Sequence, residues 1–359
     1  MARFSLSAAA PYTSALKAAR HLPRSALAAQ MQAVRQPHLG KRSTMPIPHQ
    51  LSHLLSHRLS SRVLAAIVCG MVTFSAAAPA QSNCAAEPFA LQVLGSGGPY
   101  PAGDRASSGY LVWRSGRAVA LIDVGGGTFL RFGEAGARLA DLSLLAISHL
   151  HPDHSSDLPA FLWLSDRVRQ QSLKLAGPSG AEPFPSIERF VTRLFDSSSG
   201  AFPILSGSVR QTGTGVPLDI ITIDAAASAP TLVLADGDLE VTAIGVPHGS
   251  VPSVAYRLRV GERSIVFGSD QTGNDPRFSD FASGTDVLVM HLSLSQQAPD
   301  AVARLHARPG AVGQAATNAK ARRLVLSHLI RAVPPVRVEW HSLFDLGQAV
   351  ADEIGRAHV

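Results

Sequence analysis

Ser148-His149-Leu150-His151-Pro152-Asp153-His154 places three imidazoles and one carboxylate within six positions. Neutral imidazole and carboxylate are the ligands that zinc and its first-row neighbours prefer. The stretch follows Leu144-Leu145-Ala146-Ile147, which reads as a short buried strand. The cluster therefore sits on the loop just past a strand end, held by the core and open to a ligand. Pro152 stiffens the turn, and four polar groups this close do not fit into an apolar core. Alternation lets His149 and His151 address one ion, and Asp153 and His154 another.

Three more positions repeat the pattern of an apolar strand followed by one metal-type residue. Val241-Thr242-Ala243-Ile244-Gly245-Val246-Pro247 leads to His248. Ser264-Ile265-Val266-Phe267-Gly268-Ser269 leads to Asp270, and Leu324-Val325-Leu326-Ser327 leads to His328. Singly, each is an ordinary loop residue. Their shared placement in a chain that also carries the histidine cluster makes them candidate ligands.

The positioning elements are legible around them. Phe89–Leu94 predicts a strand that ends at Gly95-Ser96-Gly97-Gly98-Pro99, and Gly109–Trp113 with Ala118–Ile122 predicts a hairpin. The second hairpin strand runs into Asp123-Val124-Gly125-Gly126-Gly127. Neither glycine turn is a phosphate loop, since no Lys-Ser/Thr follows; both predict tight turns with close backbone approach. Asp123 is either a carboxylate that orients a metal-bound histidine or a plain turn residue. Helical spacing covers Asp157–Gln171 and Ile187–Phe195. Residues 196–217, rich in Ser and Gly, predict a loose, lid-like segment. Short strands resume over Leu218–Ile223, Thr231–Leu234 and Leu239–Ile244. Tyr110, Tyr256 and Trp163 line either a pocket or the core, and Arg105 faces either an anionic substrate or solvent.

Charge divides the chain in two. The 359 residues carry a net charge of +6, yet residues 1–80 contain no Asp or Glu. Nine of the 32 Lys and Arg lie there, which leaves 23 against 26 acidic residues in 81–359. The body therefore lacks the basic excess that a polyanion partner requires, which disfavours nucleic acid. Arg58 and Arg62, the apolar run Val63–Phe74 and Ala78-Pro79-Ala80 together predict a secretory signal peptide cleaved after Ala80. The apolar run is too short for a comfortable membrane span, and Cys69 lacks the preceding small residue of a lipoprotein site, so no stable membrane anchor is expected after cleavage. Residues 1–44 read as a mis-called extension ahead of a start at Met45. The expected mature domain, residues 81–359, would be periplasmic or secreted. It retains only Cys84, so metal bonds rather than an internal disulfide would tie it together.

Over about residues 89–332 the chain resembles the metallo-β-lactamase superfamily of hydrolases. The resemblance rests on the H-x-H-x-D-H signature (His149, His151, Asp153, His154) followed by His248, Asp270 and His328 in the family's order. It implies an α/β fold, a four-layer αββα sandwich, with a dinuclear site at one edge of the two sheets. It also implies that His149, His151 and His248 bind one metal, that Asp153, His154 and His328 bind the other, and that Asp270 bridges them. Two divalent ions are expected, zinc first, with manganese or iron as alternatives. Such a pair lowers the pKa of a bridging water, supplies hydroxide at neutral pH and polarises the substrate, while Asp153 orients or deprotonates the nucleophile.

Finer features, Gly95–Pro99, Arg105–Tyr110, His248–Arg257 and Phe267–Asp270, are similar to the branch that holds tRNA 3′-processing endonucleases (RNase Z), arylsulfatases and cyclic-nucleotide phosphodiesterases. There an H-E-A-T/S motif follows the bridging Asp; here Val289-Met290-His291-Leu292-Ser293 keeps the His and replaces the Glu. The resemblance implies that His291 assists leaving-group protonation and that His306 matches another histidine common in the branch; each has a structural role as its alternative. No basic, Gly-rich tRNA-gripping arm lies between the cluster and His248. The expectation is thus a secreted dinuclear hydrolase of phosphodiesters or aryl sulfates acting on a small-molecule ester. A lactone, β-lactam or other acyl hydrolase is the alternative; a tRNA endonuclease and a non-catalytic metal-binding module rank below. The oligomeric state is left open.

Overall fold

The computed structural model describes residues 84–330 except 102, 104, 169–170 and 211–214. The expected leader and signal peptide, with Cys69, lie outside the described residues. Twelve short strands form two sheets among the described residues. The first contains β1 (Phe89–Gly95), β2 (Gly109–Arg114), β3 (Arg117–Ile122), β4 (Leu144–Ala146), β5 (Leu173–Pro178) and β6 (Leu218–Ile223), in that spatial order. The second contains β7 (Thr231–Asp236), β8 (Leu239–Val246), β9 (Ser253–Val260), β10 (Arg263–Phe267), β11 (Val287–His291) and β12 (Leu324–Ser327), again in order. Each sheet starts as an antiparallel meander and then turns parallel, from β3 onward in the first and from β10 onward in the second.

Side chains alternate across each strand, so every sheet buries two faces. On β2, Tyr110 and Val112 face the second sheet, while Leu111 and Trp113 face a helical layer. On β9, Val254, Tyr256 and Leu258 answer from the opposite sheet, while Ala255 points the other way. Parallel strands need crossover connections, and these supply the helices. The first sheet is covered by α1 (Thr128–Glu134), α2 (Pro152–Ser155), α3 (Leu158–Val168), α4 (Ile187–Phe195) and α5 (Gly207–Arg210) or the turns between them; α6 (Pro276–Phe281), α7 (Asp300–Ala303) and α8 (Pro309–Asn318) follow in the second half. Three apolar layers result: helix on sheet, sheet on sheet, and sheet on helix. This is the expected four-layer αββα sandwich.

The helices are placed by ordinary amphipathicity. Ile187, Val191 and Phe195 recur every fourth residue on α4 and are fully buried; each contributes about 2 kcal/mol of burial. Ser186 caps the helix by accepting from the Arg189 N–H.

Within the segment 196–217, of which 211–214 lie outside the described residues, the stretch 196–210 is more ordered than its composition suggests. Asp196 Oδ1 accepts from the backbone N–H and hydroxyl of both Ser198 and Ser199, and Oδ2 pairs with Arg210. Leu205 is the buried residue of a 3-10 turn at Pro203–Leu205, and α5 follows. A serine-rich composition reads as loose, but here the serines satisfy one carboxylate and build a turn. Among the described residues no helix is long and apolar enough to cross a membrane.

Candidate metal centre

The candidate residues come from the C-terminal ends of strands in both sheets: Asp123 follows β3, His149–His154 follow β4, His248 follows β8, Asp270 follows β10, His291 ends β11 and His328 follows β12. Two independent sheets thus contribute to one edge. The cluster loop is pinned from the facing sheet, because Tyr256 donates its hydroxyl to the Ile147 carbonyl (2.9 Å) and Val254 N–H donates to Ser148 O (3.0 Å). Tyr256 is therefore a core residue that fixes the loop, and Trp163 is 40 % exposed on α3.

Backbone strain gathers here. Asp123, Ser269 and His328 hold φ of +58°, +61° and +60°. Left-handed backbone costs a non-glycine residue about 1–3 kcal/mol and persists where surrounding contacts fix it. The glycine turns make the predicted close approach. A Cβ on Gly98 would stand 2.9 Å from the His328 ring, and one on Gly125 2.0 Å from the Asp153 carbonyl.

Asp270 Oδ2 is the hub. Around it stand His328 Nε2 at 3.5 Å, His306 Nδ1 at 3.6 Å, His149 Nε2 at 3.7 Å, and His154 Nε2 and His248 Nε2 at 3.8 Å. His151 Nδ1 lies 3.0 Å from His149 Nε2, and Asp153 Oδ2 lies 3.0 Å from His328 Nε2 and 3.6 Å from His154 Nε2. The donor atoms fall into two groups that share Asp270: His149, His151 and His248 on one side, and His154, His291 and His328 on the other. Asp153 adjoins the second group.

Three buried ring nitrogens, His154 Nε2, His248 Nε2 and His306 Nδ1, have no hydrogen-bond partner. Buried polar atoms are rarely left unpaired, and here all three face one carboxylate oxygen. The Nδ1 atoms of His154, His248 and His328 are engaged away from the hub. His154 Nδ1 meets Asp123 Oδ2 (2.9 Å), His248 Nδ1 donates to the Leu305 carbonyl (2.6 Å), and His328 Nδ1 meets Ser293 Oγ (2.5 Å). Such outer bonds fix ring orientation and tautomer. The set fits divalent metal binding.

Asp123 takes the orienting role that the sequence left open. It also accepts from Ser148 N–H (2.7 Å) and Ser148 Oγ (3.0 Å). Neither Ser148 nor Ser293 stands out in the sequence; Ser148 precedes His149 and Ser293 lies two residues past His291, which is the only signal either gives. The Leu305 carbonyl has no side-chain signal at all.

His291 requires a correction. Its Nδ1 lies 2.7 Å from Asp270 Oδ1, its Nε2 lies 2.8 Å from Tyr110 Oη, and its side chain is 3 % exposed. Both nitrogens are occupied behind Asp270, so it is not placed to protonate a leaving group. The reason is topological: it is the last residue of β11, inside the sheet pairing rather than past it. His306, by contrast, is 20 % exposed at the hub.

Electrostatics follow burial. Desolvation lowers the pKa of His149, His248 and His291, which favours neutral rings. Burial acts the same way on His154, but the Asp123 carboxylate overcomes it and lifts His154 to about 9. Burial would raise Asp270, yet the imidazoles of His328, His291 and His154 hold it well below the usual carboxylate range.

These shifts predict the pH dependence of protein stripped of metal. A histidine lowered on folding removes stability as pH falls below its ordinary value of 6.5, because only the unfolded state then binds the proton. His154, raised on folding, contributes stability that is complete below 6.5 and lost as pH rises through about 9. Metal-free protein should therefore be most stable near neutrality, and Asp123→Asn should flatten the alkaline limb. Chemical denaturation from pH 5 to 10 tests this; an unchanged alkaline limb in the variant would refute it.

Residues 120–329 match the family model for the beta-lactamase superfamily domain. The chain belongs to this superfamily. It is 28 % identical over 261 residues to ribonuclease Z of Methanopyrus kandleri, covering 69 % of this chain and 89 % of that protein. A ribonuclease Z of Mycobacterium sp. (strain KMS) is also 28 % identical over 261 residues, with 68 % and 85 % covered. Among solved structures, the short form of human tRNase Z superposes with a TM-score of 0.56 at 19 % identity, covering 70 % of this chain and 99 % of that one. The metallo-β-lactamase-fold protein YhfI of Bacillus subtilis gives 0.53 at 22 % identity, with 74 % and 94 % covered. As a superfamily member of the ribonuclease-Z-like branch, the chain is a metal-dependent hydrolase.

Proposed function

We propose that this superfamily member hydrolyses phosphodiester bonds on a pair of divalent ions, zinc first among them. The observation that carries the reading is Asp270 Oδ2 at the centre of five imidazole nitrogens, with donor groups on both sides. His149, His151 and His248 would hold one ion, Asp153, His154 and His328 the other, and Asp270 would bridge them. When bound, the pair lowers the pKa of water and offsets charge on a phosphoryl oxygen. The protein's own groups do the rest. Asp153, 9 % exposed at the edge of the second group, accepts the nucleophile's proton. His306 hydrogen-bonds the departing oxygen from the open side.

Relatives named ribonuclease Z favour phosphodiester over sulfate or acyl chemistry. They also support a second reading, processing of RNA. We prefer a small diester, because residues 81–359 carry a net charge of about −3 and offer no electrostatic footprint for a polyanion. We also take residues 1–80 as an export leader, which would separate the enzyme from RNA; N-terminal sequencing of the mature protein should start at Gln81.

Purified residues 81–359 should turn over bis-nitrophenyl phosphate and carry two divalent ions per chain by mass spectrometry. Cleavage of a precursor tRNA in preference to the small diester would move the assignment to RNA. Two metals with activity only on nitrophenyl sulfate, a lactone or a cephalosporin would overturn the phosphodiester reading.

A further inference from the structure

Tyr110 stands on β2 in the first sheet, far in sequence from any candidate ligand. Its hydroxyl crosses the interface between the sheets and enters the parallel pair β11–β12. There it lies 2.6 Å from Ser327 Oγ and 2.8 Å from His291 Nε2. His291 and Ser327 are register partners at the ends of those strands, so one phenol oxygen ties both together. His291 Nδ1 then meets Asp270 Oδ1 at 2.7 Å. The Tyr110 ring also packs on Phe267, three residues before Asp270, at 5.5 Å between centroids. Every member is buried: Tyr110 at 1 % exposure, Asp270 at 1 %, His291 at 5 % and Ser327 at 0 %.

The geometry matters because a carboxylate has two oxygens and only one can serve the hub. Asp270 Oδ1 is committed to His291, which turns Oδ2 toward the five imidazole nitrogens. His291 can hold that direction only if its own ring is held, and a ring bonded at a single nitrogen can still tilt about that bond. Tyr110 supplies the second bond from the opposite sheet. Ser327 fixes the phenol in turn. The chain Ser327–Tyr110–His291–Asp270 thus converts sheet-on-sheet packing into the orientation of one carboxylate.

We propose that Tyr110 is a positioning residue for the metal centre, acting through His291 to aim Asp270 Oδ2. It touches no substrate and ligates nothing. The proposal rests on the reading of the hub as a metal site, and the experiment separates the two. Tyr110→Phe removes only the hydroxyl and keeps the ring on Phe267. The rate of metal release to excess chelator is the main readout, with metal content by mass spectrometry. Loss of an outer-sphere partner costs roughly 10–100-fold in metal affinity, and Y110F, one step further out, should release metal about tenfold faster than wild type. His291→Asn, whose amide can occupy the Nδ1 position, should hold metal better than His291→Leu. Adding Y110F to H291N should cost nothing further, since the relay is already cut.

A merely structural Tyr110 would lower thermal stability without quickening release, and its effect would add to that of H291N; either result overturns the proposal. If Y110F does not fold, Ser327→Ala reads the same coupling with ring and hydroxyl in place. Wild-type chain that takes up no metal would sink the metal reading itself, whereas metal-loaded wild type with unaltered release in Y110F sinks only the relay.

Discussion

Asp270→Ala should empty the metal centre and abolish hydrolysis in the same step. Asp270 is the only residue shared by both donor groups. Its Oδ2 is also the one atom that all five surrounding ring nitrogens approach within 3.5–3.8 Å. Removing it leaves each ion one donor short and brings several imidazoles together with no negative charge between them. Turnover of bis-nitrophenyl phosphate should fall by more than about 100-fold, beyond the range expected for loss of an outer hydrogen-bond partner. Metal content should fall with it. The variant should still fold, because the three apolar layers lie on either side of the sheets and do not depend on the carboxylate. Thermal denaturation of the metal-free wild type and variant checks that point, and mass spectrometry counts the ions. A variant that retains two ions per chain would show that Asp270 does not bridge.

The contrast between what the sequence revealed and what it hid has a physical basis. Strands and α4 were legible because burial imposes a period of two or near four, and Ile187, Val191 and Phe195 show it directly. The ligand types were legible because they sit just past strand ends, four after β4 and one each after β8, β10 and β12, a local feature. What stayed hidden depends on contacts between elements remote in the chain. Tyr110 and His291 are 181 positions apart, and only the packing of one sheet on the other brings them together. The same packing explains the error over His291. A histidine near a strand end reads as exposed, and one residue of register decides whether it lies in the sheet or beyond it. Asp123 was ambiguous for a related reason: its φ of +58° suits a turn residue, while its side chain reaches His154. At Asp196–Ser199, composition misled because four hydrogen bonds to one Asp196 oxygen order a serine turn.

His306→Ala should separate proton donation from metal binding. Of the five imidazoles around Asp270 Oδ2, four are 0–1 % exposed and His306 is 20 % exposed. His306 is thus the most exposed of the five. Its ring is held by neighbours rather than by a hydrogen bond at Nδ1, stacking on His328 at 5.6 Å and meeting His248 edge-on at 5.1 Å. Burial lowers its pKa to about 4, so the metal-free enzyme presents a neutral ring near pH 7. An anionic diester beside it favours the charged form and raises that value, so that the ring can give a proton to a poor leaving group at the moment charge develops there. General acid catalysis contributes about 10²–10⁴-fold, and kcat for an alkyl diester should fall by that order in the variant. A nitrophenolate departs without a proton, so bis-nitrophenyl phosphate should be affected far less. Both ions should remain, because either donor group keeps its ligands without His306. The ratio of the two substrates thus decides between roles. Equal losses on both, with metal retained, would assign His306 to substrate binding; loss of metal would make it a ligand and leave the centre without a proton donor on its open side.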